Sequence, residues 1–255
     1  MVPSLFLAHG SPMLAIEYSP YTEFLAGLGQ RLKPEAIAIF TAHWESEVLA
    51  ITDTDGEYET IYDFYGFPPE LYRVRYPAKG SREIAEMLAK RFGEKGIEVR
   101  KDAERGLDHG TWTLLSRLFP DADIPVVQLS VHPFKEPREQ IAIGEALRGL
   151  GLQNILVIGS GVTVHNLRMV HWGQEEPEPW AVEFDDWLIE NIQNNDLDSL
   201  CRYMELAPHA RNAVPRPEHF VPLFNAMGSG SGTKADVIYR DYEFGTLSYL
   251  CLQFE

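Results

Sequence analysis

Short apolar runs alternate with stretches of helical periodicity along the chain. Four runs have the length and bulk of strands that are buried on both faces of a sheet. They lie at residues 5–8, 36–41, 124–129 and 154–159. Four amphipathic segments of helical spacing lie at residues 81–95, 110–118, 137–150 and 179–194. Strands that alternate with helices predict an α/β fold with a mostly parallel central sheet flanked by helices.

Three further segments have other patterns. Residues 236–239 and 247–253 alternate in polarity and predict one or two closing strands. Residues 58–76 are dense in aromatic residues and proline, which is typical of a long ordered loop that walls a pocket. Residues 227–233, MGSGSGT, predict a flexible loop without core-forming side chains.

Composition narrows the class of protein. The 255 residues include 22 Lys and Arg against 38 Asp and Glu, which gives a formal charge of −16. This excess of negative charge argues against nucleic acid or an anionic membrane as a partner, since both need a cationic face. The beginning of the chain lacks a basic region before its short apolar run, so we expect a cytoplasmic protein without a signal peptide. The two cysteines are expected to be free thiols.

The eight histidines are informative because of where they stand. His9 follows the first predicted strand, His43 follows the second, and His165 lies shortly after the strand at 154–159. Ligands of open parallel sheets bind beyond the carboxyl ends of the strands, so these side chains should converge at one edge. His109 stands at a loop-to-helix junction with Asp108 as a candidate N-cap, and His219 lies between prolines.

Clustered neutral imidazoles bind divalent zinc, iron, copper or nickel. Three histidines leave positions open for water or substrate, as catalytic metal sites do. Iron(II) centres more often use two histidines and a carboxylate, so Glu218 competes with the adjacent His219 for one role. Two other kinds of site fail on their motifs. A nucleophile elbow needs glycine where Val162 stands, and no glycine run is followed by the Lys-Ser/Thr of a phosphate loop.

Seven motifs resemble the DOPA dioxygenase branch of the class III extradiol ring-cleaving dioxygenases. They are LAHGSP, TAHW, YDFYGFPPELYRVRYPA, LDHGTW, GSGVTVHNL, PEHFVPL and YEFGTLSYLCLQF, in that order from His9 to the C-terminal strand region. The resemblance implies one catalytic α/β domain over residues 1–255. It also implies one divalent metal ion per chain, Fe(II) or Zn(II), and a catechol substrate whose ring is opened with dioxygen.

The resemblance also implies roles for individual histidines. His9, His43 and His219 match metal ligands, the last at a position where more distant class III enzymes use glutamate. His165 is either a further ligand or an acid/base beside the metal. His109 matches the histidine that faces substrate and dioxygen.

Two questions stay open on the sequence. Tyr62, Phe64 and Tyr65, with Phe67, can stack on a planar substrate ring, although packing in the core explains them equally well. Zinc has no redox chemistry, so a zinc-filled protein would be a hydrolase on the same scaffold. A non-catalytic relative that keeps the pocket is the third reading, and no ligand histidine is missing. The identity of the catechol and the oligomeric state are not encoded in any motif.

Overall fold

The computed structural model describes residues 1–232 and 234–255. Its strands are β1 Ser4–Ala8, β2 Ala36–Glu45, β3 Leu49–Thr52, β4 Val99–Asp102, β5 Val126–Val131, β6 Ile155–Gly161, β7 Ala235–Tyr239, β8 Tyr242–Glu243, β9 Leu247–Ser248 and β10 Cys251–Phe254. Its helices are α1 Pro20–Arg31, α2 Arg82–Glu94, α3 His109–Leu118, α4 Pro137–Glu145, α5 Pro179–Gln193, α6 Leu197–Cys201, α7 Tyr203–Leu206, α8 Ala210–Ala213 and α9 Val221–Ser229.

One sheet organises the described residues. Its strand order is β4-β3-β5-β2-β6-β1-β10-β7, and β8 pairs only with β9. The central strands β5, β2, β6 and β1 run parallel to one another, whereas β3 and β10 are antiparallel to their inner neighbours. The prediction of a mostly parallel sheet flanked by helices is therefore confirmed, and the tail supplies the closing strands β7 and β10.

Buried apolar side chains cover both faces of the central strands. The inner strands contribute alternate residues to different clusters, so that Phe6 packs with α5 and α9 while Leu5 and Leu7 pack with α1 and α3. Such two-sided burial is what makes parallel strands read as continuous apolar runs. The helices thus pack on the two faces of the sheet, and the ends of the strands are left to carry polar side chains.

Several boundaries differ from the prediction. Strand β2 continues to Glu45, so His43 lies within it instead of following it. Helix α4 ends at Glu145, and Gly149 adopts a φ of 82° before a 3-10 turn, which shortens the helix predicted to end at residue 150. The prediction of a flexible loop at 227–233 is wrong for residues 227–229, which form the end of the buried helix α9. Thr233 lies outside the described residues.

The segment 58–76 is a long ordered loop, as expected, with one 3-10 turn at Leu71–Arg73. Its backbone is tied to the rest of the fold by hydrogen bonds, including Ile61 N–H to the Leu107 carbonyl at 2.8 Å. Both cysteines are free thiols. Within residues 1–232 and 234–255, no helix has the length and apolar character needed to cross a bilayer.

Candidate metal and active site

Three histidines from distant parts of the sequence reach one edge of the sheet. His9 is the residue after β1, and His165 lies four residues beyond the end of β6. His43 is near the end of β2, where the pairing with β5 shifts register between Phe40 and Glu45. A register shift of this kind turns the local side chains, so a residue inside a strand still faces the carboxyl edge.

His9, His43 and His219 form a compact triangle. Their ring centroids are 4.9 Å apart for His9 and His43, 5.0 Å for His9 and His219, and 4.9 Å for His43 and His219. One ligating atom from each of the three lies within 4.8 Å of the other two. His9 and His219 are buried, while the His43 side chain is 19% exposed. The three imidazoles are therefore close enough for one metal ion to contact all of them.

Hydrogen bonds at Nδ1 set the proton positions of two of these rings. The Ser160 hydroxyl donates to the Gly110 carbonyl at 2.5 Å, so it accepts from Nδ1 of His9 at 3.1 Å. Nδ1 of His219 lies 3.0 Å from Oε1 of Glu218, a carboxylate that accepts. In both rings Nδ1 carries the hydrogen, and the lone pair is on Nε2.

The ring of His43 has the same tautomer, with the hydrogen on Nδ1 and the lone pair on Nε2. Nδ1 of His43 lies 3.2 Å from Oδ2 of Asp63, and its Nε2 lies 3.2 Å from Nε2 of His9. Two lone pairs that face each other at this distance repel unless a cation lies between them. Imidazole nitrogens held by hydrogen bonds at the opposite ring atom are the usual donors to zinc and iron(II). The residues therefore fit a bound divalent metal ion.

His109 begins helix α3 beside this triangle. Asp108 is its N-cap, as predicted, and accepts from the Thr111 backbone N–H and from the Thr41 hydroxyl at 2.7 Å. The helix start is thereby joined to β2 two residues before His43. The rings of His43 and His109 are only 3.9 Å apart between centroids.

Asp63 connects these two histidines. Its Oδ1 accepts from Nδ1 of His109 at 2.9 Å and from the His109 backbone N–H at 3.0 Å. Burial alone would raise the pKa of Asp63, but hydrogen bonds from His109 and His43 outweigh it and hold that pKa well below its ordinary value. The carboxylate is therefore ionised at neutral pH.

His165 lies on the far side of His219. The two rings stack at 3.8 Å with an interplanar angle of 10°. His165 shares a potential ligand group with Glu218 and His219, but not with His9 and His43. Burial, followed by repulsion from His43 and His109, lowers the pKa of His165 to about 4. The ring is thus a neutral base beside the triangle.

Burial keeps the imidazoles of His9, His219 and His109 neutral as well. It is the main cause of the lowered pKa of His9, with His43 next, and of the lowered pKa of His219, with His165 next. Burial also lowers the pKa of His109, although the hydrogen bond to Asp63 acts in the opposite direction. Because a metal ion binds the neutral imidazole, the shifts of His9 and His219 prepare these two rings as ligands.

Comparison with known proteins identifies the family of this fold. The family model described as the catalytic LigB subunit of aromatic ring-opening dioxygenase matches residues 3–252. The chain belongs to the LigB family of ring-opening dioxygenases. The resemblance to class III extradiol dioxygenases is therefore confirmed, and with it the expectation of an oxidoreductase.

Relatives of this LigB-family chain carry a common description. A "4,5-DOPA dioxygenase extradiol" of Beta vulgaris is 38% identical over 252 residues, covering 96% of this chain and 94% of the relative. The protein of the same description from Escherichia coli K12 is 36% identical and covers 99% and 94%. A crystal structure of an uncharacterized E. coli K12 protein superposes with a TM-score of 0.85 at 33% identity over the full length of both chains.

The aromatic residues predicted to bind substrate occupy different places in the LigB-family fold. Phe64 meets the His109 ring edge-on at 5.6 Å between centroids. Tyr62 is partly buried, packs against Trp112 at 6.1 Å and donates its hydroxyl hydrogen to the Val74 carbonyl at 2.7 Å. Tyr65 is 92% exposed. Of the three, Phe64 is the one in contact with a histidine of the site.

The remaining histidines lie away from the triangle. His132 lines a separate cavity of about 510 Å³ together with Glu47 and Lys95. His171 is 54% exposed and lies 3.8 Å from Glu178. Nε2 of His209 lies 2.9 Å from Oε2 of Glu183 at the surface. None of these three histidines lies in the motifs that carry the family resemblance.

Sequence reasoning missed Asp63 altogether. It considered Tyr62 and Phe64 on either side of this residue, as ring-stacking side chains, and passed over the carboxylate between them. Asp63 is the one acidic residue in the stretch IYDFYGFPP, which was the available signal. A carboxylate among aromatic side chains needs a hydrogen-bond or charge partner, and His43 and His109 provide it.

Proposed function

We propose that residues 1–255 act as one catalytic domain, a metal-dependent extradiol dioxygenase that opens the ring of a catechol-type substrate with molecular oxygen. The observation that carries this proposal is the triangle of His9, His43 and His219, in which one ligating atom of each ring lies within 4.8 Å of the others and every Nδ1 lies 3.0–3.2 Å from a hydroxyl or carboxylate oxygen. The description of the relatives as 4,5-DOPA dioxygenases supports a DOPA-like catechol as the substrate.

His9, His43 and His219 would hold the metal ion, and Fe(II) is the ion that suits a dioxygenase. Bound Fe(II) would supply coordination for the catechol oxygens and the electron chemistry with dioxygen that zinc lacks. Three imidazole ligands would leave coordination positions free for substrate and dioxygen, as catalytic metal sites do.

His165 would remove a proton from a catechol hydroxyl. Its neutral ring stacks on His219, so it lies next to the site where the hydroxyl would bind without being one of the three converging rings. A base within reach of the substrate accelerates such a step by about 10²–10⁴-fold. Of the two roles that the sequence left open for His165, the geometry favours acid/base catalysis.

His109 would move a second proton. Because Nδ1 of His109 donates to Asp63, its Nε2 first meets the substrate as an acceptor. His109 becomes a donor only after it takes the proton of the second catechol hydroxyl, and the adjacent Asp63 carboxylate stabilises the charged ring. It would then return the proton to an oxygen of the opened product. Phe64, edge-on to His109, would border the substrate ring.

Purification without oxygen, followed by loading with Fe(II) or Zn(II) and a panel of catechols, tests the proposal. We expect oxygen uptake and a yellow product with iron only. Ester hydrolysis under zinc without oxygen uptake under iron would instead identify a hydrolase on this scaffold. His9→Ala and His43→Ala should lower the bound metal per chain, whereas His109→Ala should retain metal and slow turnover. His171→Ala is the matched control and should change neither quantity.

A further inference from the structure

The Asp63 carboxylate joins a proposed metal ligand to a proposed acid/base. Oδ2 lies 3.2 Å from Nδ1 of His43, and Oδ1 lies 2.9 Å from Nδ1 of His109. The loop that carries Asp63 is held in place two residues earlier, where the Ile61 carbonyl accepts from Nε1 of Trp112 at 3.0 Å. The backbone that carries Asp63 is therefore anchored to helix α3, although Asp63 itself is an exposed residue.

An ionised carboxylate accepts hydrogen bonds and donates none. Both Nδ1 atoms that face Asp63 must therefore carry a hydrogen, and both rings must keep their lone pair on Nε2. In His43 that Nε2 atom faces His9 at 3.2 Å. The alternative tautomer would point a lone pair at the carboxylate and an N–H at the other ligands.

We propose that Asp63 is a positioning residue that sets the tautomers of His43 and His109 together. One carboxylate prepares the metal-binding nitrogen of His43 and the proton-accepting nitrogen of His109. This assignment rests on the proposed function for the two histidine roles. The tautomers themselves follow from the hydrogen bonds and can be measured without turnover.

Asp63→Asn and Asp63→Ala differ in their expected effect on the tautomer of His43. Asp63→Asn offers one acceptor and one donor. The His109 backbone N–H holds the amide oxygen on its side, because it donates to Oδ1 at 3.0 Å. The amide NH₂ then faces Nδ1 of His43 and forces its hydrogen onto Nε2, the metal-binding atom. Asp63→Ala removes both partners, and water can satisfy either tautomer at this 25% exposed position.

Zn(II) and Co(II) affinities, measured by chelator competition on the full chain, separate these effects. We expect Asp63→Asn to bind metal about 10–100-fold more weakly than the unaltered protein, as for other losses of a ligand's hydrogen-bond partner. Asp63→Ala should lose less than Asp63→Asn. Glu59→Gln removes the same charge from an exposed side chain of the same segment and should leave the affinity unchanged.

Nitrogen-15 NMR of the histidine rings in the Zn(II)-loaded protein gives the second readout. We expect His43 and His109 to carry hydrogen on Nδ1 in the unaltered protein and His43 to lose this signature in Asp63→Asn. An Nε2–H signal from either ring of the unaltered protein overturns the proposal, even if both variants fail to fold. Equal losses of affinity in the Asn and Ala variants also overturn it, since charge alone would then explain them.

Two further outcomes separate this proposal from others. Loss of metal in Asp63→Ala as complete as in His9→Ala would make Asp63 a ligand and overturn a positioning role. The expected tautomers and affinities without oxygen uptake from any catechol would support the role of Asp63 toward the metal and contradict only the proposed function.

Discussion

Gly110 lets helix α3 approach strand β2 at the face that carries the histidine triangle. A Cβ atom at this position would lie 2.9 Å from Cδ2 of His43 and 2.9 Å from Oγ1 of Thr41. Carbon atoms pack at about 3.5–4.0 Å, so Gly110→Ala requires one of these groups to move. Neither moves freely, because Thr41 donates to Asp108 at 2.7 Å and His43 is bonded to Asp63 at 3.2 Å.

The expected magnitude follows from two opposing effects. Overpacking a well-filled site costs about 1–3 kcal/mol. Replacing glycine by alanine inside a helix gains up to about 1 kcal/mol. Gly110 is the second residue of α3, so the gain is at the small end, and we expect a net loss of about 1–2 kcal/mol in the free energy of unfolding. This corresponds to roughly a 5–30-fold change in the ratio of folded to unfolded chains.

Gly93 provides a matched control. It lies in helix α2, and a Cβ atom there would meet no heavy atom within 4 Å. Gly93 is the second-to-last residue of α2, so Gly93→Ala should raise the free energy of unfolding by up to about 0.5 kcal/mol. The same chemical change is expected to have opposite signs at the two positions.

Urea titration of EDTA-treated protein measures both variants without the stabilisation that bound metal adds. Chelator competition for Zn(II) should show weaker binding in Gly110→Ala, because the clash displaces His43, and unchanged binding in Gly93→Ala. If Gly110→Ala stabilises the chain as Gly93→Ala does, the contact between α3 and β2 is not as tight as described. The placement of His43 would then be wrong.

Three other substitutions test the site and its surroundings. Ser160→Ala frees Nδ1 of His9 and should weaken Zn(II) binding about 10–100-fold in the same competition assay, and unchanged affinity would argue against the His9 tautomer. Asp185→Asn tests a buried carboxyl group. Burial raises the pKa of Asp185, and this effect outweighs the hydrogen bonds from its neighbours, which act in the opposite direction. The stability that Asp185 contributes relative to Asn should decrease as pH rises above about 4, and urea titrations at about pH 4 and 8 that give the same difference between the two proteins would contradict this. Phe64→Leu should raise KM for a catechol severalfold while Tyr65→Leu leaves it unchanged, and the reverse result would move the substrate to the outer loop surface.

The central strands and the histidines at their ends were predictable because their signals are local. A parallel strand buried on both faces must be apolar throughout, so β1, β2, β5 and β6 stand out as runs. The carboxyl-edge rule then groups residues from different strands without any knowledge of contacts. The N-cap of α3 was equally local, since Asp108 directly precedes the helix.

The parts that were missed depend on contacts between distant segments. Strand β4 is short and only partly buried, with the sequence VRKD, so hydrophobicity does not mark it. The end of α9 looked like a flexible loop because of its small residues. Gly228 is small for a packing reason instead, since a Cβ atom there would lie 2.1 Å from the Ile141 carbonyl oxygen. Asp63 pairs with a residue 46 positions later, a relation that no periodicity encodes.

The carboxylates of the site explain how a set of three histidines can replace two histidines and one carboxylate. From the sequence, Glu218 and His219 competed for one role, yet Oε1 of Glu218 lies 3.0 Å from Nδ1 of His219, so both contribute. Asp63 stands in the same relation to His43 at 3.2 Å. Two carboxylates would thus lie one imidazole away from a bound divalent ion and offset part of its charge, while Arg216 pairs with Glu218 at 3.1 Å. Because neither carboxylate would take a coordination position, positions on the ion would stay free for a chelating substrate.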